Sequence, residues 1–205
     1  MRSRRFLVAI LALSVVVPAV YARTKPAPTE PGTYKAWGQD IDQIEIIKTF
    51  KIADYDKIVV QPFDTSKTPL PDPKEKWYGT LKTALEGYTS YFMEAFPKEL
   101  KAKADVQQSS SAGKGAKTLI IRGEVEQLDP GSRAGRYFGG FGAGSASTKL
   151  NVDIVDAKSG KVLARVTQAR RSGGTFKMGG GNDLDVMRDA VHATGKDIAH
   201  VLDAF

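Results

Sequence analysis

The sequence predicts an α+β fold: a single mixed, largely antiparallel sheet of about five strands with two amphipathic helices. Two patterns carry that prediction. Apolar and polar residues alternate at period two on both sides of a glycine-rich break between Leu119 and Val166. Apolar residues recur at steps of three and four from Trp77 to Leu100 and again from Leu184 to Phe205. At 205 residues, 41% hydrophobic and 26% charged, the chain has material for one ordinary core.

The amino-terminal residues read as an export signal outside that core. Arg2, Arg4 and Arg5 precede an apolar run from Phe6 to Val17, and Val20, Tyr21 and Ala22 make a small-residue cleavage site. Residues 1–22 are therefore expected to be a signal peptide. Pro18 interrupts the run, which falls short of the ~20 residues of a spanning helix. Losing the three arginines takes the formal charge from +7 to +4, mildly basic and below a nucleic-acid-binding profile. Residues 23–43, with prolines and glycines and few aliphatics, read as an extended linker. Residues 44–205 read as a single globular domain.

Within the domain, Ile44 to Ile52 and Lys57 to Phe63 are β-rich, and the apolar run Lys57 to Phe63, ended at Pro62, predicts a central strand. Asp72, Pro73 and Glu75 have the spacing of an N-cap, a first helical proline and a capping box. The stripe Trp77, Leu81, Leu85, Tyr88, Phe92, Phe96 and Leu100 predicts one helix packed on a sheet, kinked or ended near Phe96 by Pro97. Asp105 to Gln108 fits a short edge strand.

From Thr118 the period becomes two. Leu119, Ile121, Gly123 and Val125 face one way, as do Leu150, Val152 and Ile154, then Val162, Ala164 and Val166. Asp156 to Gly160 predicts a tight hairpin with Gly160 left-handed. The last helix carries Leu184, Met187, Val191, Ile198, Val201, Leu202 and Phe205 on one face. Asn182 or Asp183 would cap it, and Gly195 would permit close approach.

Two glycine-rich segments interrupt this order, Gly131 to Ala146 and Ser172 to Gly181. Because consecutive antiparallel strands reverse direction, the loops that enter and leave the Leu150–Val166 hairpin belong at the same end of the sheet. Their shared rim would gather Arg133, Arg136, Tyr137, Phe138, Phe141, Arg170, Arg171, Phe176 and Lys177, with Met178 among them. Glycine frees backbone amides for anions, and arginine offers forked donors to phosphate or carboxylate. The rim is the candidate binding site, for an envelope protein, a glycan or a lipid headgroup, with self-assembly into a homo-oligomer as an open alternative.

Sharper chemistries fail on spacing. Gly140, Gly142 and Gly144 open a strand, whereas a dinucleotide fingerprint opens a helix. Gly113, Lys114 and Gly115 lack the Walker spacing. A nucleophile elbow has no match. The chain has no cysteine, which excludes disulfides, thiolate chemistry, cysteine-held zinc and a lipidated cysteine. His192 and His200 lie ~12 Å apart along one helix, too far to chelate one ion together. Each follows an aspartate by three, Asp189 and Asp197, a spacing that allows local pairs. Glu124, Glu126 and Asp153 fall on the solvated sheet face. The expectation is a non-enzymatic chain with no cofactor and no metal. The alternative is a metal-dependent or acid/base hydrolase built on the Asp189–His192 and Asp197–His200 pairs.

Val59 to Asp64, Gly123-x-Val125, the run Arg136-x-x-Gly-Gly-x-Gly142-Ala-Gly144-Ser-Ala146, and Val155-Asp156 with Gly160 resemble a bacterial family of unknown function, DUF4410, found in secreted proteins and lipoproteins. The resemblance spans roughly Ile44 to Phe205, and the arginine followed by alternating glycines is its most specific part. The family is similar in architecture to the amino-terminal domain of the translocation protein TolB and to the curli secretion lipoprotein. That implies a mixed sheet flanked by helices and an accessory or assembly role in the envelope, periplasmic or at the outer membrane. It brings no catalytic residues. Many relatives carry a lipobox cysteine, which this chain lacks.

Overall fold

In the computed structural model of the protein, the residues described are 26–38, 40–111, 115–132, 144–172 and 182–205. In chain order they form β1 (Gly32–Trp37), β2 (Ile41–Ile46), a 3-10 turn (Ile52–Asp54), β3 (Lys57–Val60), α1 (Tyr78–Glu86), α2 (Tyr88–Glu99), β4 (Asp105–Gln108), β5 (Thr118–Asp129), β6 (Ser147–Asp156), β7 (Val162–Arg171) and α3 (Asp183–Asp203). The strands make one mixed sheet in the order β1-β2-β7-β6-β5-β3-β4. β3 runs parallel to β4 and β5, and the remaining pairings are antiparallel. The α+β class is as expected, with β3 interior and β4 at the edge. Among the described residues the sheet has seven strands rather than about five, and there are three helices rather than two.

The extra strand at the amino-terminal edge comes from the stretch expected to be a linker. Tyr34 pairs with Ile44 and Trp37 with Ile41, so residues 32–43 supply all of β1 and the start of β2. What holds them is tertiary. The Trp37 ring is buried, its Nε1 donates to Pro28 O at 2.7 Å, and it stacks on Phe205, which in turn stacks on Phe50 with centroids 4.4 Å apart. β2 ends at Ile46, where Ile47 N and Lys48 N both donate to Leu163 O and the ladder breaks.

The extra helix comes from a break at Gly87. α1 and α2 follow one apolar stripe, and hydrogen bonds from Gly87 N to Thr83 O and from Tyr91 N to Gly87 O bridge the break. A side chain at Gly87 would meet the Tyr91 ring, at 2.8 Å from Cβ to Cζ. Pro97 sits in the last turn of α2, which runs on to Glu99 instead of ending at Phe96. The expected cap at Asp72 is also displaced. Asp72 Oδ1 accepts from Lys74 N and its carbonyl from Glu75 N, closing a turn that precedes the helix start at Tyr78.

One face of the sheet packs on the helices. Tyr88, Phe92 and Phe96 are fully buried from α2, as are Met187, Val191 and Ile198 from α3. Phe63 sits edge-on to Phe92 and Tyr88. Gly195 does permit the expected close approach: a Cβ there would lie 2.9 Å from Phe92 O. Asn182 caps α3, its Oδ1 accepting from Asp185 N at 2.9 Å. The opposite face is a polar ladder. Glu124 meets Lys67, Glu126 meets Lys149, and Asp153 meets Arg165, which also reaches Glu45. The carboxylates expected on the solvated face are there, paired with cations.

The β6–β7 hairpin closes as its sequence predicts. Gly160 has φ +69° and donates to Asp156 O at 2.8 Å, and Asp156 Oδ1 accepts from both the amide and the hydroxyl of Ser159 at 2.6 Å. Those bonds from Ser159 hold the Asp156 carboxyl below the usual range. Its other oxygen accepts from Tyr55 Oη at 3.1 Å. Burial first, and then the Asp156 charge, push the Tyr55 phenol from 10.0 to about 12. Burial likewise drives up Tyr88, whose hydroxyl is hydrogen-bonded to Thr148. Both phenols have a folded pKa above the unfolded one. The Tyr55 contribution is therefore intact below pH 10 and is lost as pH climbs through about 12. Melting temperature is expected to fall across that window, and Tyr55→Phe should make the fall shallower. A variant that melts along the wild-type alkaline curve would refute the assignment.

Candidate functional site

The two glycine-rich loops leave the sheet side by side. β6 begins where β7 ends, with Ser147 opposite Arg171. Just beyond, Ala146 N donates to Ser172 Oγ at 3.0 Å, and Ser172 N donates to Ala146 O at 2.7 Å. Ser172 and Ala146 are buried, so this reciprocal pair pins the root of one loop to the root of the other. The other side of the first loop is closed by Ser132 N donating to Gly144 O at 3.0 Å. Glycine is required there. Gly131 has φ +71°, and a Cβ on it would lie 2.2 Å from Gly144 O.

Of the rim residues expected from the sequence, Arg133, Arg136, Tyr137, Phe138, Phe141, Phe176 and Lys177 lie outside the described residues, as does Met178. So does the export signal at 1–22. Arg171 is the last residue of β7 and is exposed. Arg170 does not join the rim. The alternation that buries Ala164 and Val166 continues through Gln168 to Arg170, turning both toward α3. Arg170 Nη2 donates to Asp197 Oδ1 at 2.7 Å, and its Nε is bonded to Asp197 Oδ2. The same Nη2 reaches Asp40, its carbonyl at 3.1 Å and its Oδ1 at 3.2 Å. The bonds to Asp197, and then its charge, hold the guanidinium far above its ordinary pKa.

Gln168 completes the network. Its Nε2 donates to Asp197 Oδ2 and to Asp40 O, both at 2.7 Å, and its Oε1 accepts from Asp42 N at 2.9 Å. Asp197 is buried, with its carboxylate oxygens shared between Arg170 and Gln168. The network therefore joins the end of β7, the β1–β2 turn and the middle of α3. Its members were readable in part: the period-two pattern, carried two steps past Val166, puts Gln168 and Arg170 inward. Asp197 stands beside Ile198 on the apolar stripe of α3, where a carboxylate needs a cation.

The histidines find partners on α2 rather than along their own helix. His192 Nε2 lies 2.8 Å from Glu94 Oε2, and His200 Nε2 lies 3.0 Å from Glu99 Oε1. Glu94 is also bonded by Arg188, whose guanidinium lies over the Tyr91 ring at 5.5 Å. These bonds, led by the one from Arg188, hold Glu94 below the usual carboxylate range. Asp40, Asp197 and His200 bring donor atoms within 4.8 Å of one another, the one such group among the described residues. Arg170 already spans both carboxylates of that trio, so a cation there would have to displace a guanidinium. Among the described residues no helix is long and apolar enough to cross a membrane.

Comparison with solved structures finds chains similar over most of this one's length. A PelC dodecamer subunit from Paraburkholderia phytofirmans is 14% identical, covers 75% of this chain and 96% of its own, and superposes with a TM-score of 0.43. A Xanthomonas campestris protein of family DUF330 is 14% identical over 73% and 85%, with a TM-score of 0.41. A putative neuraminyllactose-binding hemagglutinin homolog from Helicobacter pylori is 15% identical over 75% and 90%, with a TM-score of 0.34. No curated protein matches the sequence. The profile of a domain of unknown function, DUF4410, matches residues 58–174, from β3 past the end of β7, and the chain belongs to that family.

Proposed function

We propose that the protein is an exported accessory of the bacterial envelope that binds a partner, without catalysis, through its two adjacent glycine-rich loops. The observation that carries this reading is the reciprocal hydrogen bonding of Ala146 and Ser172, which roots both loops at one point. A shared root lowers the cost of engaging one partner with both segments, relative to two independently anchored ones. The residues available to such a rim are Arg133, Arg136, Arg171 and Lys177 with Tyr137, Phe138, Phe141 and Phe176. Forked cations and aromatic rings suit an anionic group, with an apolar surface beside it. Arg170 is withdrawn from that set because its guanidinium is committed to Asp197 and Asp40. The non-enzymatic reading is supported by His192, His200 and Asp197 of α3, which are engaged with Glu94, Glu99 and Arg170 respectively.

The test is capture in intact cells by a photo-reactive residue placed at position 141, followed by mass spectrometry. A discrete envelope protein or glycan adduct is expected. Changing Arg133, Arg136 and Arg171 together to glutamine should reduce that adduct severalfold while leaving the melting temperature unchanged. Capture that survives the triple change would overturn the rim. Adducts only to the protein itself would replace the hetero-partner with self-assembly.

A further inference from the structure

The connection between β3 and α1 covers residues 61–77 without a helix or strand. Structureless connections longer than about 12–15 residues are uncommon in compact domains, and most serve a function or are disordered. This one is fixed by bonds along its length. Phe63 N donates to Thr89 Oγ1 at 2.9 Å, and Asp64 N to Gly123 O at 2.8 Å. The buried Thr68 donates from its hydroxyl to Val125 O at 2.6 Å, and Asp72 closes the turn that leads into α1. Between those last two anchors stand Pro69, Leu70 and Pro71, with Pro73 just beyond. Each proline fixes its own φ and biases the residue before it toward an extended backbone, which constrains Thr68, Leu70 and Asp72 as well. On this stiff strap Leu70 is 46% exposed, one of two large apolar side chains so exposed among the described residues.

A single exposed leucine is ordinary on a protein surface. Leu70 differs in that its backbone is already ordered on both flanks, so a contact made there loses little conformational freedom. Its chemistry also discriminates between classes of partner. Between residues 69 and 71 the one backbone donor is the Leu70 N–H, so the hydroxyls of a glycan or the phosphate of a headgroup find almost nothing to bond. An extended, proline-stiffened, apolar segment is what an aromatic-lined groove on a protein accepts. The position fits the loops as well. β3 runs parallel to β5, so the strap lies toward the end of the sheet from which both loops leave. Thr68 is bonded to β5 at Val125, and the strand runs only about 13 Å further, to Asp129, before the first loop begins. One protein footprint of about 800 Å² reaches across both. Ile47, the other exposed apolar side chain, follows β2 at the opposite end of the sheet.

We propose that residues 68–73 are a fixed docking strap, that Leu70 enters an apolar groove of the partner engaged by the glycine-rich loops, and that this partner is therefore a protein. The inference rests on the loop-rim reading and narrows its partner. The test places an apolar photo-reactive residue at position 70 of the full chain in intact cells, in parallel with the one at position 141, and identifies the adducts by mass spectrometry. The same protein is expected at both positions. In the chain labelled at 141, Leu70→Ser should cut that adduct severalfold with an unchanged melting temperature, because the side chain is exposed. Pro69→Gly together with Pro71→Gly should also cut it, by loosening the strap. A protein captured at 141 but missed at 70, or captured equally well by the Leu70→Ser chain, overturns the strap and leaves the loop reading standing. A glycan or lipid adduct at 141 does the same. No adduct at 141 removes the loop reading, and the strap falls with it, since the shared partner defines it.

Discussion

Arg170→Ala is expected to destabilise the fold by about 3–5 kcal/mol, the range for removing one partner of a buried ion pair. The asymmetry of exposure sets the size. The Arg170 side chain retains 30% of its surface, whereas that of Asp197 retains 7%. Taking away the arginine strands a buried carboxylate, with only Gln168 Nε2 still bonded to it among the described residues. Asp197→Asn should cost less, because the amide keeps an acceptor for Gln168 and the guanidinium is exposed enough to recover solvent. Chemical denaturation of the two variants at neutral pH checks the order. Equal losses would remove the ion pair as the cause. The outcome also decides how loop mutagenesis is to be read. A charge-removal set that includes Arg170 would lose partner capture through unfolding and say nothing about the rim.

The features legible in the sequence were those set by local periodicity. Leu119 to Val125, Leu150 to Ile154 and Val162 to Val166 alternate because one face of each strand packs on helices. The stripes of α2 and α3 recur at helical steps for the same reason. The adjacency of the two loops followed from strand reversal alone. What was not legible depends on distant partners. β1 contains no local β signal beyond Tyr34 and Trp37, sits after Pro31, and exists because Ile41 to Ile46 offers it an edge and Phe205 offers Trp37 a stacking face. At Asp72 the capping pattern was present but its side chain closed a local turn instead, a competition common to aspartate. His192 and Glu94 are far apart in sequence, so the interhelical pair that replaces the expected Asp189 spacing could come only from the packing of α2 against α3.

Gly123→Val is expected to abolish folding, and Gly123→Ala to cost more than about 3 kcal/mol, at or beyond the upper end for overpacked sites. Gly123 pairs with Val152 in the middle of the sheet, and a Cβ there would lie 2.1 Å from Asn151 O and 3.2 Å from Val152 Cα. Those are ladder atoms of β6, which cannot give way as the tip of a side chain can. Moving β5 instead is blocked from the other side. Gly123 O accepts from Asp64 N, and Val125 N donates to Asp64 O, both at 2.8 Å. Relief must therefore break hydrogen bonds on one flank of β5 or the other. The gain from a stiffer unfolded chain, about 0.4–1 kcal/mol for Gly→Ala, is too small to offset that. Gly160 is the control. Its φ of +69° disfavours any side chain, but nothing lies within 4 Å of its Cβ position. Gly160→Ala should cost only about 1–2 kcal/mol, the left-handed penalty alone. Thermal melts of the two alanine variants separate crowding from backbone strain. If Gly123→Ala melts as high as Gly160→Ala, β5 and β6 are farther apart than the geometry requires. If it falls well below, the Gly123-x-Val125 pattern that helped mark the family has a physical meaning. It specifies the spacing of two central strands, and with it the point from which β6 and β7 carry both loops.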